Sequence, residues 1–296
     1  MEGPLVSIIT ITYNRADLIH RCIESIQHQT YKNYEHIIVD GNSSDNTQDV
    51  VCNYHDSHIK YIKLDRNGSI QLKKGAEVAS GKYITFLDDD DEYLPEKIEK
   101  QVRLFETLTD DYGVVYCWMS YYNNDDPEKV IRVHKPELRG DVSEIAPTKP
   151  IICGTPTMMI RRDVFNKYGI SYSDDVGYLL SDWELMTRIV QHCKVDFLPE
   201  SLIKVYVNHG HARQTTDFYG DKARKGIKFH SYFLKTWEDI FKRNPDSAGY
   251  HYYNLAICHA KLNQWGLAMR WYGKFLKTHP SFKEVIKVLG RILLRR

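Results

Sequence analysis

No apolar run in this chain approaches the roughly 18 to 20 residues that a helix needs to cross a bilayer. The opening MEGPLVSIIT also has neither the basic stretch nor the long apolar core of a signal peptide. The expectation is a cytoplasmic protein, at most peripheral at the inner face of the plasma membrane. Six cysteines (22, 52, 117, 153, 193 and 258) are scattered without a CxxC pair, so a disulfide frame or thiolate zinc site is not expected. An excess of either charge is missing as well: 40 Lys and Arg stand against 39 Asp and Glu, a net of +1. A nucleic-acid partner usually requires a basic excess, so none is expected. No GxGxxG follows the first apolar run, which sets aside a nicotinamide dehydrogenase.

What is present is enough apolar material for a core: 42% of 296 residues are hydrophobic, sufficient for one large α/β domain and a smaller accessory unit. Val6 to Ile11 is apolar without a helical period and reads as a buried strand. A helix near Ala16 to His28 places Ile19, Cys22, Ile23 and Ile26 on one face. Strands at His36 to Val39, Ile59 to Leu64 and Tyr83 to Leu87 alternate with helices near Asn46 to Tyr54 and Ile70 to Ala79, the last ending at Gly81. That alternation implies a mostly parallel, doubly wound sheet, in which ligands bind beyond the carboxyl ends of the strands. The middle segment, Glu96 to Val207, is less regular: a helix after Pro95, strands near Val114 to Cys117 and Thr157 to Ile160, and a helix from about Asp182 to His192. Asn123 to Ile152, rich in Pro and charge, reads as an irregular exposed loop. From Asp217 onward nearly everything reads helical, which places a domain boundary near residue 216.

Three strand ends carry polar residues. Thr12-Tyr13-Asn14-Arg15 follows the first strand, Asp40-Gly41-Asn42-Ser43-Ser44-Asp45 the second, and Asp88-Asp89-Asp90-Asp91 the strand Tyr83 to Leu87. Each has a plain alternative: a turn, a helix N-cap, a solvated loop. The Asp run fits its alternative worst. Four adjacent carboxylates beyond an apolar strand repel one another, and a divalent cation taking oxygen ligands, Mg2+ or Mn2+, would offset the repulsion.

The order of these motifs carries a resemblance. Val6 to Arg15, Gln29 to Glu35 with Ile37-Ile38-Val39-Asp40, Gly81 to Asp91, Leu94-Pro95-Glu96-Lys97 to Gln101, and Ser181-Asp182-Trp183-Glu184 with Arg188 together resemble family 2 glycosyltransferases over about residues 5 to 215. The resemblance implies the GT-A fold (α/β, Rossmann-like, mostly parallel and doubly wound), here with a C-terminal all-α extension. It implies a metal-dependent, inverting transfer of a sugar from a UDP-sugar donor to a hydroxyl of a glycan or lipid-linked acceptor. Thr12 and Tyr13 would border the nucleobase, and Asp40 would accept the imide N–H of uracil. Arg15, Asn67, Lys73, Asp88, Asp89 and Arg213 would contact the nucleotide sugar, with Asp88 near the ribose and diphosphate. Asp90 would bind Mn2+ or Mg2+, with His209 as a second contact in a closed state. Asp182 would be the general base. One base attacking opposite the leaving diphosphate turns an α-linked donor into a β-glycoside. Asp182 has a structural rival: Ser181-x-x-Glu184 is a capping-box pattern, and an Asp in the first helical turn suits the helix dipole. Glu184 and Arg188 form an ordinary i, i+4 pair.

The chain also departs from the family pattern. Ile11 stands where proline is common, Asp40-Gly41-Asn42 replaces Asp-Asp-Gly, and Asn67 to Gly75 lacks the usual Ala-Arg-Asn, leaving Lys73 or Lys74 as the phosphate contact. The QxxRW motif of processive synthases is absent, which favours transfer of one sugar at a time. Two other functions compete with this one. A sugar-nucleotide pyrophosphorylase would need a glycine-rich, Arg- and Lys-bearing loop after the first strand, which is missing. A catalytically idle nucleotide-binding or scaffold protein acting through its tail would not need Asp40, Asp88, Asp90 and Asp182 together.

Residues 217–296 form the second expected domain. Tyr253 to Ala268, with Tyr272, Phe275 and Pro280, resembles a single tetratricopeptide repeat, in which Ala256 and Ala268 let two helices approach closely. A lone repeat cannot build a solenoid. Over 282–296, Val285, Ile286, Leu289, Ile292 and Leu293 alternate with Lys283, Lys287, Arg291, Arg295 and Arg296. Such a segment suits either a capping helix or peripheral contact with an anionic membrane. Co-sedimentation with anionic vesicles, with and without residues 282–296, separates the two; equal binding removes the membrane contact.

Overall fold

The computed structural model describes residues 3–65, 68–152, 154–169, 181–207 and 222–278. The β-branched run Val6–Thr12 forms β1, with all seven residues buried, and it lies between β2 (Tyr34–Asp40) and β4 (Tyr83–Phe86), parallel to both. Thr12 is opposite Asp40 in that register, and β3 (Ile59–Lys63) continues the parallel half beyond β2. Beyond β4 the sheet becomes mixed. Strand β8 (Met158–Arg161) is antiparallel to β4, and β6 (Tyr112–Asn123) is antiparallel to β8. Strand β9 (Lys194–Val207) is parallel to β6, and the short β5 (Glu92–Tyr93) is antiparallel to β9. The α/β class holds, with its parallel half as read and a mixed half added.

Helix α1 (Ile19–Gln27) starts later than its sequence pattern suggested, because Asn14 takes a left-handed φ of 50° and residues 15–18 make a turn in which Arg15 O accepts from Leu18 N and Ile19 N. Its buried face, Ile19, Cys22, Ile23 and Ile26, is the one expected. Helix α2 (Thr47–Cys52) packs beside it, Val51 joining Ile19, Ile23 and Ile38. Helix α3 (Gly68–Val78) lies close on β1: a Cβ at Gly75 would come 2.6 Å from Ile9 Cγ2. Close approach also fixes Gly81, where a Cβ would come 2.6 Å from Ser7 N. Helix α4 (Lys97–Thr107) buries Lys97, Ile98, Gln101, Val102 and Phe105, and its apolar members share one core with Val6, Ile8, Tyr83 and Leu87.

The region read as an irregular loop contains a strand, β7 (Asp126–His134), hairpinned onto β6. All nine residues of β7 are exposed, including the β-branched Val130, Ile131 and Val133, which the Pro- and charge-rich surroundings masked in the sequence reading. After β8 come the single turn α5 (Arg162–Val164) and α6 (Ser181–Ile189).

The chain divides into two compact units, the first holding the described residues of 3–143, 151–169 and 182–207, the second those of 144–150 and 222–278. In the second, α7 (Lys222–Thr236), α8 (Glu238–Arg243), α9 (Gly249–Lys261) and α10 (Trp265–Thr278) follow one another. Ala256 and Ala268 are buried with Tyr272 and Phe275 between α9 and α10, the close approach that small residues permit. No helix of the described residues is long and apolar enough to cross a membrane.

Both units bury histidines. His36 in β2 hydrogen-bonds Thr10 Oγ1 at 3.0 Å, and burial pushes its pKa down to about 3. In the second unit His251 Nε2 donates to Pro147 O at 2.7 Å, which leaves its Nδ1 to accept from His230 Nδ1 at 3.0 Å. Burial lowers His230 to about 3 and His251 to about 4. Below its unfolded pKa of about 6.5, each ring takes up a proton in the unfolded chain before it does so in the folded one, so stability falls with pH. Glu35 adds to this at lower pH. Burial raises its pKa, but donors from Lys60, Ser7 and Ser80 outweigh burial and bring it to about 2, so its contribution fades below pH 4.5. The expected outcome is a stability that falls between pH 7 and pH 4, each buried histidine costing about 2 kcal/mol by pH 5 and Asp89, whose pKa is raised to about 7, offsetting part of the loss. Thermal melts of the wild type and of His230→Phe check it: the variant should lose part of the slope in that window.

Candidate active site

The loops after β1 and β2 are fastened together by side chains. Asn14 N donates to Ser43 Oγ at 2.8 Å, and Asn14 Oδ1 accepts from Ser44 N at 2.8 Å. Arg15 N donates to Thr47 Oγ1 at 3.1 Å and Ala16 N to Asp45 Oδ2 at 3.2 Å. Asp45 also accepts from Thr47 N at 3.1 Å, so the helix-start role read in Ser43-Ser44-Asp45 belongs to Asp45. Asn42, at a φ of 63°, stands where the family pattern has glycine, and Asn is among the residues that best tolerate that conformation.

Asp40 ends β2 fully buried. Its Oδ1 accepts from Ser43 N at 2.8 Å and Ser43 Oγ at 2.6 Å, and its Oδ2 accepts from the Tyr61 hydroxyl. That arrangement leaves Oδ2 one lone pair for a further donor. Tyr61 is correspondingly hard to ionise, through burial and its bond to Asp40. Gln71, buried on α3, donates to Thr12 O at 3.1 Å and Val39 O at 2.9 Å, satisfying carbonyls at both strand ends. Lys73 is two positions on, about 200° round the helix. Its ammonium lies on the exposed face, 4.0 Å from Glu77, and Lys74 Nζ is 3.9 Å from the same carboxylate. Tyr13 is half-buried just past β1.

The Asp run makes a turn, Asp91 N donating to Asp88 O at 3.2 Å, and its four side chains diverge in exposure. Asp88 is exposed, Asp90 partly buried, Asp89 and Asp91 buried. One carboxylate oxygen from each of Asp88, Asp90 and Asp91 lies within 4.8 Å of the others. An all-oxygen set of this kind suits Mg2+ or Mn2+ and not a thiophilic metal. Arg15 Nη1 is 3.5 Å from Asp90 Oδ2. Arg21 Nη1 donates to Asp90 O at 3.2 Å while its guanidinium lies 3.8 Å from the Tyr206 ring centre, and Tyr206 N donates to Asp91 Oδ1 at 3.1 Å. Asp89 is raised to about 7 by burial and then by the neighbouring Asp90 charge, with Arg15 and Thr12 opposing both.

Asp182 lies in the first turn of α6, where Thr155 N at 3.4 Å and Thr155 Oγ1 at 3.5 Å face its two oxygens. Because β8 runs antiparallel to β4, the turn 155–157 preceding β8 lies at the sheet end where β4 gives way to the Asp run. Glu184 is engaged by Arg188 at 3.1 and 2.8 Å, and Arg188 also donates to Tyr168 O at 2.7 Å. The i, i+4 pair read from sequence is therefore present, and it ties α6 to the preceding turn.

The structure thus gathers Thr12, Arg15, Asp40, Asp88, Asp89, Asp90 and Asp182 at one end of the sheet and sets Lys73 on an outer helix face. Asn67, His209, Arg213 and residues 282–296 lie outside the described residues. Three contributors escaped the sequence reading: Gln71, Arg21 and Asp91. The first two act on backbone carbonyls far along the chain and leave no local signature. Asp91 was in view, but only the turn shows that it joins Asp88 and Asp90.

Comparison with known proteins gives this geometry a family. The Glycosyl transferase family 2 description matches residues 7–169. An uncharacterized glycosyltransferase of Rickettsia prowazekii is 32% identical over 239 residues, 79% of this chain and 72% of that protein. The Escherichia coli protein WfaP, a UDP-Glc:alpha-D-GlcNAc-diphosphoundecaprenol beta-1,3-glucosyltransferase, is 40% identical over 124 residues, 41% of this chain and 48% of its own. In fold, a mannosyltransferase from Pyrobaculum calidifontis in complex with GDP-Man and Mn2+ aligns with a TM-score of 0.61 at 17% identity, over 99% of this chain and 80% of that one. With its family description spanning β1 to β8 and a relative of this similarity over most of its length, the chain belongs to glycosyl transferase family 2 and is a glycosyltransferase.

Proposed function

We propose that the enzyme transfers a single sugar from a UDP-sugar to a hydroxyl of a glycan or lipid-linked acceptor, with inversion and with a divalent cation, in bacterial surface polysaccharide or glycoconjugate synthesis. The observation that carries this reading is the convergence of Asp88, Asp90 and Asp91 within 4.8 Å at the sheet end that also holds Asp40 and Asp182. Asp88, Asp90 and Asp91 would hold a Mn2+ or Mg2+ ion, whose charge would offset that of the diphosphate. Asp40 takes a donor from the base at the remaining lone pair of Oδ2, held in place by Ser43 and Tyr61. Thr12 and Tyr13 border the base, and Arg15 lies beside the phosphates. Asp182, oriented by Thr155, accepts the proton of the acceptor hydroxyl. The hydroxyl oxygen forms its bond to the anomeric carbon on the face opposite the diphosphate, and the cleaved carbon–oxygen pair leaves on the phosphate oxygen. The E. coli relative, named for UDP-Glc and a beta-1,3 product on a diphosphoundecaprenol acceptor, supports the donor, the inversion and a lipid-linked acceptor. The manganese in the Pyrobaculum neighbour supports the cation. A lipid-linked acceptor in turn favours work at the inner face of the plasma membrane, with 282–296 as the contact. Residues 1–216 serve as the transferase domain and 217–296 as the helical accessory domain.

Calorimetric titration of UDP with and without Mn2+ tests the donor site. Binding in the wild type should strengthen at least tenfold with Mn2+, and Asp90→Ala should lose that gain. Equal binding with and without the ion would remove the metal from the reading. Asp182→Asn should bind UDP within threefold of wild type and lower kcat by about 10²- to 10⁴-fold, the range for a lost general base; retained turnover would place the base elsewhere.

A further inference from the structure

Helix α4 carries two fully buried polar side chains one turn apart, Lys97 and Gln101. That spacing sets both on one helix face. Neither takes part in the chemistry above. A buried ammonium loses its hydration, and the loss is ordinarily offset by a carboxylate. Among the described residues no carboxylate pairs with Lys97. Its Nζ donates to Thr85 Oγ1 at 2.6 Å and lies 3.8 Å from the centre of the Tyr93 ring. Burial lowers its pKa to about 7. A methionine would fill much of the same volume without the desolvation cost, so packing gives no reason for a lysine here.

The next contacts show what the pair reaches. Thr85 Oγ1 donates to Met158 O at 2.6 Å and touches the Tyr93 hydroxyl at 2.9 Å, while that hydroxyl donates to Phe86 O at the end of β4. Gln101 Nε2 donates to Thr157 O at 2.9 Å. Thr157 Oγ1 donates to Gly154 O at 2.7 Å, and Thr155, inside that turn, donates to Asp182 through its N and its Oγ1. One face of α4 therefore holds both the strand that ends in the Asp run and the turn that orients Asp182.

We propose that Lys97 and Gln101 are positioning residues that keep the strand-end carboxylates and the Asp182 turn in one fixed relation. The inference rests on the reading of Asp182 as the base and of the Asp run as the cation end. It assigns Lys97 a role for which the chain gives up stability, so the ammonium and the catalytic geometry are lost together when the lysine is replaced.

The test compares full-length wild type, Lys97→Met and Gln101→Met by thermal melting, UDP binding with Mn2+, amide exchange over 154–158, and kcat for sugar transfer. Lys97→Met should melt at or above the wild-type temperature and bind UDP within threefold. Its amides at 154–158 should exchange at least tenfold faster, and kcat should fall at least tenfold. Gln101→Met should show the same exchange and kcat changes, and it decides the question alone if Lys97→Met fails to fold. Lower melting with weakened UDP binding would mark the pair as structural only and overturn the proposal, as would unchanged exchange at 154–158 or unchanged kcat. A wild type that transfers no sugar from any UDP-sugar overturns the functional reading instead, and the exchange measurement still decides whether the pair positions the turn.

Discussion

The pairing of β1 with both β2 and β4, all three parallel, is the constraint from which the site follows. Parallel neighbours end on the same side, so the register that sets Thr12 opposite Asp40 and Ile9 opposite Phe86 delivers three loops to one edge. Last-rung carbonyls at such an edge lose their ladder partners and need substitutes. Gln71 meets that need for Thr12 and Val39, and Gly41 N adds a bond to Thr12 O. The same event that completes the sheet thus fixes the floor on which a nucleotide would rest.

Crowding of acidic groups at that edge is tolerable because several of these carboxylates have donors of their own, from buried Asp40 and Asp91 to exposed Asp45 and partly buried Asp182. Asp40 has Ser43 and Tyr61, Asp45 has Thr47 and Ala16, Asp91 has Tyr206 N, and Asp182 has Thr155. Asp89 is the member for which burial and the Asp90 charge prevail, and its pKa rises accordingly. Arg15 and Arg21 enter from the α1 side, one toward the Asp90 carboxylate and the other toward its carbonyl, and so hold the turn. A cation would meet carboxylates already fixed in direction, which lowers the ordering cost of binding it.

Much of this was legible in the chain. The strands were readable because buried parallel strands are written as short β-branched runs, and α1 because Ile19, Cys22, Ile23 and Ile26 keep a helical period. Asp40 and the Asp run stood out because they lie at strand ends, whereas Asp182, inside the first turn of α6, stood out only through the resemblance carried by Ser181-Asp182-Trp183-Glu184. What resisted reading has two physical causes. Strand β7 carries β-branched Val130, Ile131 and Val133, but all are exposed and stand among charged neighbours, and its pairing with β6 rests on backbone hydrogen bonds that residue type does not announce. Gln71, Arg21 and Gln101 act through bonds to main-chain oxygens between 14 and 69 residues away, where residue type alone does not name the partner. Lys73, placed near the phosphates by motif register, faces Glu77 instead because the buried face of α3 is taken by Gln71, Leu72, Gly75 and Ala76.

The departure Asp40-Gly41-Asn42 shows how a motif can change its letters and keep its geometry. A second carboxylate at position 41 is not required for the loop, since Ser43 and Asn14 already bind it to the β1 loop, and the left-handed residue is supplied by Asn42 in place of glycine. Asn at that position narrows the backbone's freedom relative to glycine, and it does so in a loop already clamped at Ser43, Ser44 and Asp45. The β1 and β2 loop end of the site is therefore held by the chain's own hydrogen bonds. The direction of the Asp40 carboxylate is likewise set from within the loop, by Ser43 on one oxygen and by Tyr61 on the other.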